Sequence, residues 1–536
     1  MTPVPPPVDL RLAVPAGAGW LALVLVLPLE ASQQLVVLLT LASIVVLAGA
    51  VALRSAGRPR AVASVAALVL LAAGVASVVV GAALLRADAR WPAAVTALEG
   101  HVAVVEGTVG ERVTPASRST EMTMTRLVAG EREAWRGASS VVLLGPRVEG
   151  PPVETGTRVR VRASVLPVSR GDPTPFLAAA RGPLEPTAPP AGADAAAHEV
   201  RAAFRSATEG LPGDGGALLP GLTLGDTSGV PDDLGEAMAT ASLTHLTAVS
   251  GSNCAVLVAL TMLVGGALRV PRLVRIGVAA VVLLAFLLLV TPDASILRAT
   301  VMALVVLVHL AAARPVSGLP VAALAVTGLL IADPWLARDV GFALSVLATV
   351  GLVVLARPLA ALLGRVLPTP VALLLAVPAA AQLSCQPVLL ALEPSIPVHG
   401  VVANVLAEPA APVATVAGLV VCATAPWAPE LAEGVARVAW APAAWVGAVA
   451  RSVASWPLAR VPWPDGAAGI AALVALSALV AAAVLARRDG RSRRVLAAAV
   501  VGGLVVVGGV AVGARVGGRA AVPVGWTVAQ CGSFLG

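Results

Sequence analysis

One short segment concentrates side chains that the rest of this apolar chain avoids. SLTHLTAVSGSNCAVL, residues 242–257, carries Ser242, Thr244, His245, Thr247, Ser250, Ser252 and Asn253, then runs straight into an apolar stretch. Polar side chains and Gly at membrane depth persist only where they face a protein interior or a water-filled path. Hydroxyls, an amide and an imidazole can line such a path for a hydrated or charged solute. The alternative is capping, with Ser250 or Ser252 serving the first turn of a helix that starts at Asn253.

Three further polar positions interrupt apolar runs. Arg298 follows Thr291, Pro292 and Asp293 and sits a few residues inside a span, facing either a path or the outer interface by snorkelling. Gln382 and Ser384 lie mid-span in AAAQLSCQP, where Pro387 is expected to break the helix. Asn404 and Glu408 lie in VVANVLAEPAAPV ahead of Pro409 and Pro412. A Glu beside a proline break in an apolar run marks either a pathway or a helix end with a short re-entrant piece.

Other chemistries lack their residues. GxxxxGK[ST], GxSxG and HExxH are all missing, so neither ATP hydrolysis nor a hydrolase or zinc-protease centre is expected. Five histidines are scattered, and Cys254, Cys385, Cys422 and Cys531 form no CxxC. The chain is therefore expected to be no enzyme and to hold no metal or other cofactor.

The elements that must position these residues are membrane helices. Hydrophobic residues make up 58% of 536 positions and charged ones 12%, with mean hydropathy +0.90. Apolar runs of about twenty residues recur, each enough to cross roughly 30 Å of hydrocarbon. Spans are expected near 14–29, 34–54, 61–85, 244–266, 274–291, 295–313, 318–332, 338–357, 370–391, 400–424, 466–486 and 495–513. Residues 434–456 are ambiguous: Arg437 and Arg451 suit an interfacial helix, whereas the charge parity of the loops asks for a crossing or a re-entrant pair. The net charge of +7 follows from such loops and does not by itself imply nucleic acid. Arg54, Arg58 and Arg60 place the second loop, and hence the amino terminus, in the cytoplasm.

Residues 98–190 differ in kind. HVAVVEGTV, EMTMTRLVA, SSVVLLG and TRVRVRASV are short runs with period-two alternation, separated by Gly, Pro and Ser. They predict four or five strands in a small extracytoplasmic β-barrel, with an OB-like fold leading. Aromatic residues that would stack bases are scarce there. A helix near 195–209 is expected to lie on the membrane surface. The fold class is thus a polytopic α-helical membrane protein of about 12–13 spans with an inserted OB-like barrel. Its divisions are 1–90 for three N-terminal spans, 91–192 for the barrel, 193–243 for interfacial helices and a Gly/Pro-rich loop, 244–515 for a membrane channel domain, and 516–536 beyond it.

The combination of motifs resembles the ComEC-type competence proteins. THLTAVSGSNCAVL looks like the central signature of that family, and GLTLGDTSGVPDDL resembles its Gly-Asp loop. RDVGFALSVLATVGLVVL, AQLSCQPVLL and VVANVLAEPAAP resemble three later segments, in the family's order, so that the resemblance covers about residues 30–515. It implies an inner-membrane channel that admits single-stranded DNA during natural transformation. His245, Ser250, Gly251 and Asn253 would then belong to the conducting core, although His is often found where Asn253 stands. Arg298, Gln382, Asn404 and Glu408 would line the path, and Arg158, Arg160 and Arg162 in the barrel would meet the DNA. VGWTVAQC, residues 524–531, resembles the opening of a further extracytoplasmic domain, a metallo-β-lactamase-like one, which is expected to be missing here.

The expected partners are single-stranded DNA, the bilayer, separate uptake proteins including a motor ATPase, and further copies of the chain. A small-solute secondary transporter would use similar broken helices. A non-conducting scaffold or inactive remnant would place no demand on His245 or Asn253.

Overall fold

The computed structural model describes residues 11–54, 60–247, 251–290, 294–312 and 318–485. Three helices open the chain: α1 (Ala13–Val26), α2 (Ala31–Arg54) and α3 (Arg60–Arg90). They carry no apolar stripe; α2 in particular exposes Leu35, Val36, Leu39, Val46 and Leu47, the pattern of a helix whose surroundings are hydrocarbon. A single turn, α4 (Ala93–Thr96), leads into the sheet.

Six strands follow where alternation predicts four or five: β1 (Val102–Val109), β2 (Ser119–Ala129), β3 (Arg132–Leu144), β4 (Arg158–Leu166), β5 (Phe176–Ala180) and β6 (Glu185–Ala188). Their order is β1-β2-β3-β5-β4-β6, and β1 also pairs with β4, so the first five close into a ring. All pairings are antiparallel except β3 with β5. Alternate residues of each strand enter the ring, where Met122, Met124, Leu127, Leu143 and Phe176 make its core. The ring bends at Gly107, where the β1–β2 register shifts. A Cβ at that position would press into the Thr123 carbonyl and the Met122 methyl.

Helices α5 (Ala193–Thr208), α6 (Gly213–Leu224), α7 (Asp232–Thr240) and α8 (Thr244–Thr247) join the sheet to the rest. Helix α5 packs its apolar face on protein, with Phe204 fully buried among α6 and later helices. Arg205 pairs with Glu154 of the sheet at 2.7 Å, and Arg201 donates to the Leu288 and Leu289 carbonyls. Arg201 and Arg205 of α5 are thus taken up by protein partners on both sides, which makes it a strut.

The remaining helices are α9 (Gly251–Ala267), α10 (Arg272–Leu289), α11 (Ala294–Ala311), α12 (Gly318–Ala332), α13 (Val340–Leu363), α14 (Thr369–Leu392), α15 (Gly400–Ala407), α16 (Ala410–Thr424), α17 (Pro429–Ala454) and α18 (Gly466–Leu485). A 3-10 turn, Pro334–Arg338, precedes α13, whose first turn is capped by the Asp339 carboxylate accepting from Phe342 N at 2.5 Å. A two-stranded ribbon, β7 (Ser395–Pro397) with β8 (Arg460–Pro462), ties the end of α14 to the start of α18.

Six helices among the described residues are long and apolar enough to cross a bilayer, and a seventh results if the α15–α16 pair, bent by 42°, counts as one. Four more apolar helices, α1, most of α9 and α11, and α12, have 10–17 residues. At 1.5 Å per residue a fifteen-residue helix reaches about 22 Å, short of the hydrocarbon thickness. The described residues of the helix expected at 244–266 belong to α8 and α9, and 434–454 lies in one continuous helix, α17. Pro387 does not break α14, which continues to Leu392 and loses only the donor to the Leu383 carbonyl. The expected span at 495–513 and residues 516–536 lie outside the described residues.

Replacing Gly107 with Ala is expected to destabilise the ring by about 1–3 kcal/mol through overpacking at the bend. Limited proteolysis of the purified chain checks this: cleavage within residues 100–190 should rise while cleavage elsewhere stays unchanged.

Candidate functional site

Two polar clusters sit among the apolar helices, and both use residues that the motifs single out. In the first, the chain enters α8 through Ser242, whose φ of 60° is left-handed. Asn404, buried on α15, donates to the Ser242 carbonyl at 3.3 Å and to the Gly400 carbonyl at 2.7 Å. Gln382 of α14 donates to the Pro397 carbonyl at 3.0 Å. A Cβ at Gly400 would lie 3.1 Å from Ser242 Cβ and 3.3 Å from Gln382 Oε1, so only glycine lets the three segments meet this closely. His245 follows on α8 with its side chain exposed, as is that of Thr244, while Thr247 is buried against Gly221 of α6. The Gln386 side chain adds a bond to the Ser395 carbonyl, and its Oε1 is buried without a partner.

The second cluster lies between α9, α11 and α13. Arg298 is only 4% exposed, which corrects the snorkelling alternative. Its guanidinium donates to Thr349 Oγ1 at 3.0 Å and to Ser345 Oγ, both on α13, and its Nε is buried without a partner. Among the described residues no carboxylate pairs with it. Nη1 also donates to the Met302 sulfur at 3.5 Å, and burying a guanidinium against neutral partners leaves its charge uncompensated, an arrangement that costs stability unless an anion visits. Gly251 packs at the start of α9, where an added Cβ would touch Ala299 of α11 at 3.4 Å. Asn253, two residues on, is buried. Cys385 of α14 donates to the Leu344 carbonyl at 3.4 Å, so α13 and α14 carry both clusters on adjoining turns.

Two predicted residues stand apart. Glu408 occupies the break between α15 and α16, half-buried, with no ion pair among the described residues. Ser250 lies outside the described residues. In the sheet, Arg158, Arg160 and Arg162 project outward from alternate positions of β4. Arg160 is engaged by Glu106 at 2.7 Å, and Glu106 also reaches Arg126, which binds Glu133. Arg158 and Arg162 carry no ion pair among the described residues, so they are the free cations of that row.

Some positioning residues escape the sequence motifs. Arg451 of α17 grips Asp214 of α6 with two bonds, at 2.5 and 2.8 Å, and Asp233 of α7 with a third at 2.8 Å. This fork holds the two helices that lead to Ser242. At the far side, Arg90 lies over the Trp335 ring at 4.2 Å and donates to carbonyls at Asp172 and Pro173. It thereby seats the sheet on α3 and the 3-10 turn. Arg112 adds a contact to Ser228 and an ion pair to Glu154. Only the oppositely charged runs around these residues hinted at such pairing.

Replacing Asn404 with Leu removes the side-chain bond that ties α15 to the Ser242 carbonyl and is expected to cost about 1–3 kcal/mol, read as a lower thermal midpoint in detergent. The Arg451 fork predicts a pH effect. Its hydrogen bond holds the Asp233 carboxyl below the ordinary value of 3.8, so the stabilisation is present above that pH and is lost as pH falls through the lowered value. The thermal midpoint should therefore drop on acidification below about pH 4, and the drop should shrink in Arg451→Gln.

Residues 222–488 match the family model described as Competence protein. No curated protein and no solved structure matches the chain. The matched stretch begins within α6 and ends just past α18, so it contains both polar clusters, Glu408, and Arg451 with Asp233 but not Asp214, and leaves out the sheet. Through residues 222–488 this chain is similar to the competence protein family, and its apolar helices fit a membrane protein of DNA uptake.

Proposed function

We propose that the chain is an inner-membrane channel that passes one strand of DNA into the cytoplasm during natural transformation. The observation that carries this reading is the first polar cluster. Ser242, Gln382 and Asn404 converge beside the exposed His245 inside the region that matches the competence family. A DNA polyanion cannot enter hydrocarbon and needs a polar-lined path. His245, Gly251, Asn253, Gln382 and Asn404, with Ser250, are assigned to that path. Arg298, whose charge has only neutral partners among the described residues, supplies a cation for a passing phosphate.

The closed ring order and the parallel β3–β5 pair support an OB-like reading of the sheet, on the extracytoplasmic side. Arg158 and Arg162 are assigned to phosphate contact there. Between residues 102 and 188 eleven Arg face nine Asp and Glu, so attraction for DNA is weak and local. About twelve or thirteen crossings, with the amino terminus in the cytoplasm, follow the Arg-rich loops. A separate motor ATPase and further copies of the chain complete the system.

Uptake of labelled duplex by a deletion strain tests the reading. Deletion should abolish internalised label and transformants, and the intact chain should restore both. A His245→Ala, Asn253→Ala double variant that is equally abundant should not. Unchanged uptake after deletion in competent cells would overturn the proposal. For the sheet, the double variant Arg158→Ala, Arg162→Ala should lower the log–log salt slope of single-strand binding to the purified chain by about 1.4, the share of two phosphates.

A small-solute transporter is the second reading, favoured by the half-buried Glu408 at the α15–α16 break. Loss of DNA uptake in the double variant, with uptake retained in Glu408→Gln, would speak against it.

A further inference from the structure

On the outward side of the helix pair α9–α10 lies a groove of about 410 Å³ lined by Leu260, Val264, Leu268, Val278, Val282 and Arg275. Apart from Arg275 and Thr261 its walls are aliphatic or glycine. The helices beside it expose Leu263, Leu273, Val274 and Val281, so what surrounds the groove in a membrane is hydrocarbon.

One end of the groove is cationic. Arg269, Arg272 and Arg275 stand at the α9–α10 turn, and no Asp or Glu occurs between Glu236 and Asp293 in the sequence. None of the three has an ion pair among the described residues. Arg272 donates to the Leu310 carbonyl and Arg275 to the Met262 carbonyl. The Arg275 side chain lies flat across Gly265 and Gly266: a Cβ at Gly265 would fall 2.7 Å from Arg275 Cγ, and one at Gly266 2.9 Å from its Nη1. Its Nε is buried without a partner. Two adjacent glycines therefore make room for a guanidinium that is drawn to the mouth of an apolar groove and keeps donor capacity unused.

From this geometry we propose that the groove binds one anionic phospholipid, with an acyl chain along α9 and α10 and its phosphate at Arg275, flanked by Arg269 and Arg272. The apolar lining selects a lipid over a free phosphate, because a soluble anion would leave the groove wall exposed to water. The three uncompensated Arg select an anionic headgroup over a zwitterionic one. A lipid wedged between α9 and α10 also braces the helix that begins at Gly251, and this role is independent of what the protein transports.

Native mass spectrometry of the purified full chain, incubated with phosphatidylglycerol or with phosphatidylcholine of matched chains, tests the assignment. One phosphatidylglycerol should be retained, and phosphatidylcholine should not. Arg275→Gln should weaken retention about fivefold, the worth of one Arg beside an anionic headgroup. Val278→Trp, which fills the groove from its lipid-exposed side and leaves Arg275 intact, should weaken it as well. Excess glycerol 3-phosphate should not displace the lipid. Equal retention of the two lipids, wild-type retention in both variants, or displacement by glycerol 3-phosphate would each overturn the proposal.

Discussion

Backbone carbonyls and polar side chains in this chain have to find protein partners, because a bilayer interior offers no water to replace them. The Asn404 amide shows the constraint most directly. It holds the Gly400 carbonyl of its own helix and the Ser242 carbonyl of a segment 162 residues earlier. Remove it, and the left-handed turn at Ser242, the entry to α8 and the packing of α14 against α15 lose their common support. Gln382, which bonds the strand leading to Gly400, belongs to the same arrangement. Polar residues in this region are therefore part of the scaffold before they are part of any path.

The same constraint separates the two clusters. In the first, the amides of Asn404, Gln382 and Gln386 donate to backbone carbonyls, with Gln386 Oε1 left without a partner, and His245 and Thr244 are exposed. In the second, Arg298 has hydrogen bonds but no neutralising charge among the described residues, and one nitrogen lacks a partner. A neutral cluster anchored to carbonyls suits a fixed lining, whereas an uncompensated cation suits a transient anion. Their proximity through α13 and α14 gives a chain of small steps between them.

Charge pairing has a different task outside the helices. Arg205 with Glu154, Arg112 with Glu154 and Ser228, and Arg90 with Trp335 attach the sheet at two places. The Arg451 fork fixes α6 and α7. Each pair is partly exposed and weak alone, but together they set the orientation of the segment that carries His245.

Hydropathy is a local, additive property, and it was enough to determine the membrane class, the three opening helices and the change of character at residue 98. Strand alternation announced the sheet, and the order of motifs announced the family. The polar segment at 242–257 was legible because seven polar side chains interrupt an apolar chain. Partners were not legible. Whether Arg298 snorkels or turns inward depends on the rotation of α11 against α13, and the role of α5 depends on Glu154 and Leu288 meeting it from opposite sides. Ring closure through β1–β4, the passage of α14 through Pro387 and the grip of Arg451 are likewise decided by contacts between residues far apart in sequence. Those contacts depend on which helix faces meet, and only the tertiary structure decides that.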